Sequence, residues 1–150
     1  MNLLSQITLK WYDDSSLMTE DRRALVELFL DSIGITRETA ADIFEVLLVA
    51  KAKDISITSL QIRGGIIELR TQRGREIDKS LTMRNIQIWI KFYRKIGFLE
   101  KIGNMYTFKG NRKPSTVFKE YIKPQVIDNS ADYIGRILEK LEDKYRIRKK

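Results

Sequence analysis

The stretch "LTMRNIQIWIKFYRKIGFLEKIGNMYTFKG", Leu81–Gly110, decides the fold. In its first half apolar residues recur at helical spacing. Ile86, Trp89 or Ile90, Tyr93, and Ile96 or Gly97 fall on one side; Arg84, Gln87, Ile88, Lys91 and Lys95 fall on another. With Ser80 or Thr82 as N-cap and Gly97 as a natural C′ residue, the pattern predicts a helix over 81–96. "FLEKI" and "MYTFK" then flank Gly103-Asn104, a pair suited to a type II′ turn, which predicts a hairpin over 98–109. Such a unit is either a core helix on a two-stranded ribbon or a helix that offers its polar face to a partner.

Charge favours the second. Residues 1–60 hold six Lys/Arg and ten Asp/Glu, whereas residues 70–123 hold fourteen Lys/Arg and four Asp/Glu. The net charge of +8 is therefore concentrated around the opening stretch. A localised basic excess is the footprint of a polyanion partner. Arg70, Arg73 and Arg75, in the connection before the helix, read equally as backbone grips or as a mobile basic loop.

Composition narrows the chemistry. A chain of 150 residues suits one domain with a real core, and 43% hydrophobic with 32% charged residues excludes both a disordered and a membrane-embedded class. No apolar run approaches the ~18 residues that span a bilayer, and "MNLLSQITLKWYDD" does not read as a secretory signal. The chain has no cysteine and no histidine, which removes thiolate chemistry, the commonest general base and the commonest transition-metal ligand. Asp13-Asp14, Glu27, Asp31, Asp42 and Glu45 read as solvated faces and dipole compensation, and no phosphate-binding glycine loop is present. The expectation is a non-enzyme with no catalytic residue, no cofactor and no metal, in a reducing cytoplasmic setting.

Outward from the opening stretch, "ITLKWY" suggests a short strand or extended arm. "TEDRRALVELFLDSIG" is a helix with Thr19 as cap, and Thr36 caps a second over 37–53, with Ala40, Ile43, Phe44, Leu47 and Leu48 as its apolar face. Ile55–Ile57 make a brief strand, and Thr58 or Ser59 caps a helix over about 59–72. Gly64-Gly65 suggests a kink or break in that helix, or a close packing contact, since two glycines cost it about 2 kcal/mol. Pro114 and Pro124 punctuate the chain around a short helix carrying Val117, Phe118 and Tyr121. In the last helix Ala131, Ile134, Leu138, Leu141 and Tyr145 are spaced as an a/d seam, which packs on its own domain or on a second copy.

The order helix, strand, helix, helix, hairpin resembles the winged helix-turn-helix family of DNA-binding domains, with the likeness carried by "TMRNIQIWIKFYRKIGFLEKIGNMYTF". Tyr93 stands four before Gly97, "GFLEK" supplies the step into the wing, and Tyr106 and Phe108 match its inward pair. Two features depart from the family: the long connection "RTQRGREIDKSL" and the Gly64-Gly65 pair. The resemblance implies a mainly α fold with a small β-hairpin: an N-terminal arm and helix (1–35), the winged domain (36–113) and a C-terminal helical extension (114–150). It implies a sequence-specific transcriptional regulator that binds double-stranded DNA with helix 81–96. A replication or partition module of a plasmid or virus, or a winged-helix protein- or RNA-interaction module, are the alternatives. On the helix, Arg84 suits guanine, Asn85 and Gln87 adenine, and Ile88 a thymine methyl, while Lys91, Arg94 and Lys95 suit phosphates. Lys101, Lys109, Arg112 and Lys113 flank the hairpin and suit phosphates too. The C-terminal seam implies a homodimer.

Overall fold

The computed structural model describes every residue except Asp78, Ser80 and Lys150. It is mainly helical with a small three-stranded antiparallel sheet. The elements are α1 (Arg22–Ser32), α2 (Glu38–Ala52), β1 (Ile57–Thr58), α3 (Ser59–Gln72), α4 (Met83–Ile96), β2 (Leu99–Ile102), β3 (Met105–Phe108), α5 (Pro114–Val117) and α6 (Asn129–Lys144). Between α5 and α6 the chain stays helical through Phe118–Asp128, wound as a π-helix.

Helix α2 is the axis of the core. Residues 39–47 are buried on every side, the polar Thr39, Asp42 and Glu45 included, so α2 is enclosed by its neighbours all round. Phe44 lies at its centre, its ring 5.6 Å from Tyr93 of α4, 5.7 Å from Phe108 of β3 and 5.9 Å from Phe98. The Tyr93 hydroxyl donates to the Ala40 carbonyl at 2.6 Å, so α4 is tied to α2 by a buried polar bond as well as by packing.

Local chemistry sets the helix ends. Thr58 and Gln61 form a reciprocal capping box on α3. Thr82 accepts from the Asn85 N–H at 3.1 Å and caps α4, while Ser80 lies outside the described residues. Gly97 adopts φ 109°, and the Phe98 N–H returns to the Tyr93 carbonyl at 2.9 Å, a Schellman closure only a left-handed residue permits. Two expected caps are displaced. Asp21, not Thr19, accepts from a first-turn N–H of α1, and Arg37, whose side chain caps nothing, precedes α2 in place of Thr36.

The hairpin is as short as expected. Leu99 pairs with Phe108 and Ile102 with Met105, leaving Gly103-Asn104 as the turn. Gly103 has φ 63° and Asn104 is not left-handed, which is the pattern of a type II′ turn. The sheet order is β1-β3-β2, because Ile57 and Thr58 pair with Tyr106 and Met105.

Two open alternatives are decided and one expectation is corrected. First, α3 runs unbroken through Gly64-Gly65. A Cβ on Gly65 would stand 2.8 Å from Val46 Cγ1, so this glycine lets α3 close on α2; Gly64 faces open space. Second, residues 1–13 are an extended arm without a strand. The arm is held by Lys10 N–H to the Ser32 carbonyl and by Lys10 and Tyr12 side chains on Asp31. Third, Pro124 does not interrupt the chain. The wider i→i+5 turn moves the carbonyl four residues back away from the proline ring, and it lines Val117, Ile122 and Val126 up against the core.

Candidate nucleic-acid interface

Helix α4 has two well-separated faces. Ile86, Ile90, Tyr93 and Ile96 are buried, with Trp89 and Phe92 half-buried at their margin. On the opposite side Arg84, Gln87, Ile88, Lys91, Arg94 and Lys95 are all exposed, Ile88 to 52%. Their spacing sets them in a row about 16 Å long, at 1.5 Å of rise per residue. The row holds four cations, one amide and one apolar group, and no carboxylate.

Asn85 does not belong to this row. It is half-buried, and its N–H is engaged in the Thr82 cap. The flanking cations divide as well. Lys101 is exposed on β2, its ammonium 5.8 Å from the Tyr106 ring centre. Lys109 is half-buried, with its ammonium 4.7 Å from the Tyr121 ring centre, and Arg112 is paired with Glu120 beside the same ring. These two tie the end of the sheet to the π-helical segment Phe118–Asp128. Lys113 is exposed at the start of α5. The hairpin tip has a character the residue types alone had hidden. Ile102, 66% exposed, and its cross-strand partner Met105 stand beside the turn, so an apolar pair flanks the exposed Gly103-Asn104 apex.

The basic connection before α4 is reassigned. Arg70 is buried in α3 and donates to Asp42 Oδ2 from Nε at 3.0 Å and Nη2 at 2.8 Å. Arg73 grips Glu45 with two bonds of 2.7 and 2.6 Å. Arg23 of α1 reaches both acids, at 2.7 Å to Asp42 and 3.1 Å to Glu45, and Arg75 pairs with Glu38. Asp42 and Glu45 are therefore buried partners, not the solvated face their helix position suggested. The hydrogen bonds from Arg73 hold the Glu45 carboxyl below the ordinary glutamate range, against the opposing effect of burial. Part of the division between an acidic first third and a basic middle is thus an internal bond between α2 and α3.

Among the described residues no group of acidic side chains converges to hold a metal ion, and no helix is long and apolar enough to cross a membrane. No family model, curated protein or solved structure matches this chain.

Proposed function

We propose that residues 36–113 are a winged helix-turn-helix domain and that α4 enters the major groove of double-stranded DNA. The observation that carries this reading is the row on α4: cations, an amide and an exposed isoleucine, carried by a helix whose other face is locked into the core. The element order and the pairing of β1 with β3 beside the hairpin support the fold assignment. A groove about 12 Å wide admits one such helix, and side chains of its first turns reach base edges. Arg84 is placed to give two donors to a guanine, Gln87 to pair with an adenine and Ile88 to meet a thymine methyl. Lys91, Arg94 and Lys95 lie further along and neutralise phosphates. Lys101 and Lys113 extend that contact; Lys109 and Arg112 serve the fold first. A reader of this kind acts as a transcriptional regulator when its site lies in a promoter.

Site selection with the purified chain, followed by titration of the selected duplex over a salt series, tests the reading. Binding that weakens steeply with salt, and altered base preference in Arg84→Ala and Gln87→Ala, are expected. Absence of binding to any duplex at ~50 mM salt overturns it, because the electrostatic attraction is strong there. Selected sites lying at a replication origin would assign the same helix to replication.

A further inference from the structure

The C-terminal helix poses a separate question, independent of the DNA-binding reading. Val117, Ile122 and Val126 fasten the start of the long helical segment to the core, and the chain then leaves the body as α6. Helix α6 contains no buried residue. Ile134, Ile137, Leu138, Leu141 and Tyr145 are exposed to 57, 43, 53, 46 and 77%. Ile134, Leu138, Leu141 and Tyr145, with Ala131 before them, keep the alternating three- and four-residue spacing of a seam. Packing on its own domain, one of the two arrangements the seam allows, is not what the chain does.

We infer that α6 is an interface and that its occupant is α6 of a second copy of this chain. Three observations argue for that occupant. Helix α6 leaves the body with an Ile/Leu/Tyr stripe that its own chain does not cover, and a contiguous apolar stripe held in water marks an interaction surface. The stripe repeats at the period by which two like helices interlock, each side chain entering a hole formed by four residues of its twin. Roughly 100 Å² at each of five positions gives about 1,000 Å² for a pair, the size at which specific interfaces begin.

The charges around the stripe discriminate among partners. Helix α6 carries Asp132, Glu139, Glu142 and Asp143 against Arg136, Lys140 and Lys144. A helix built for an anionic bilayer has a Lys/Arg-rich polar face, and one built for nucleic acid is likewise basic. This near-balanced face suits another copy of itself, since neither sign accumulates when two are set side by side. Pairing would also join two bodies through helices continuous with their cores, and so fix the spacing between two α4 rows.

Sedimentation equilibrium on the full chain, from low to high micromolar, tests the inference. The native chain is expected to dimerise. The double variant Leu138→Asp/Leu141→Asp is expected to sediment as a monomer, with the body's near-ultraviolet signal unchanged. A native chain that stays monomeric throughout overturns the inference, as does a double variant that dimerises with native affinity. Because the chain has no cysteine, single cysteines give a second readout that does not depend on a disruptive change. Leu138→Cys should form a covalent dimer on mild oxidation and Lys140→Cys, on the outer face, should not. Equal crosslinking at both positions would mean random collision and would overturn it.

Discussion

Helices α4 and α6 are close to the same length and both separate apolar from charged residues sharply, yet the molecule treats them in opposite ways. Helix α4 buries Ile86, Ile90, Tyr93 and Ile96 against α2 and the sheet, and shows its charges to water. Helix α6 shows both faces. Amphipathicity alone therefore does not say what a helix packs on; it says only that something must cover the apolar side. In α4 the covering surface belongs to the same domain. In α6 the chain's own body supplies no cover, and that difference separates an element whose apolar side is already packed from one whose apolar side is left bare.

The largest effect expected from testing this contrast lies in the charges. Asp42 is fully buried between Arg23 and Arg70, so Asp42→Ala takes from Arg70 its two closest hydrogen bonds, leaves Arg23 to Glu45 and Glu27, and should cost about 3–5 kcal/mol in urea unfolding. Glu139→Ala in α6 should fall within about 0.5 kcal/mol of the native chain. The same network makes the body acid-sensitive. Glu45 titrates below its ordinary value when folded, so its contribution is complete above the unfolded value and is lost as pH falls through the lowered one. Glu45→Gln should flatten the acid limb of the stability profile. An unchanged limb would remove Glu45 from that account.

Next in size is the matched truncation. Ile90 is 1% exposed, and Ile90→Ala should lower the unfolding free energy by about 2–5 kcal/mol. Leu138→Ala should leave the denaturation midpoint of dilute protein in place and weaken self-association instead. Equal losses at the two positions would erase the distinction between the helices.

What the sequence disclosed about these elements follows the range of the interactions. Helix α4, its Thr82 cap, its Gly97 terminus and the two-residue hairpin are set within a few residues of one another, so periodicity and turn chemistry reveal them. The exposed row on α4 follows from the same period, which also turns Asn85 about 100° away from Arg84, towards the buried Ile96. The Arg70–Asp42 and Arg73–Glu45 pairs each join residues 28 positions apart. No local pattern distinguishes them from solvated charges, and the basic connection therefore looked more available to a partner than it is. Pro124 misleads for a related reason: the rule that proline ends a helix assumes α winding, and the chain here is wound more widely. Whether Gly64 or Gly65 mattered was equally hidden, since only the position of Val46 on another helix decides it.

A smaller effect belongs to the exposed row. Arg84→Ala should cost about 1–3 kcal/mol against a selected duplex and relax preference at one base, with folding stability unchanged. Lys91→Ala should weaken all duplexes alike and reduce the salt slope by about one. Lys140→Ala in α6 should alter neither quantity. A loss of base preference in that last variant would place DNA against α6 and contradict the division of labour between the helices.

The smallest expected effect is also the most local comparison of the two regions. Gly65 and Gly135 both sit inside helices, where a glycine costs about 1 kcal/mol relative to alanine. Gly65 is held to its identity by Val46, so Gly65→Ala should destabilise the body despite the gain in helix propensity. At Gly135 nothing stands within 4 Å of an added methyl group. Gly135→Ala should therefore raise the helicity of α6, read by circular dichroism, and strengthen self-association by stiffening the paired element. Greater helicity together with weaker association would mean that the partner's backbone closes on Gly135 as Val46 closes on Gly65. That outcome would put the crossing point of the two helices at Gly135 and make α6 resemble the packed helices of the body more than its bare surface suggests.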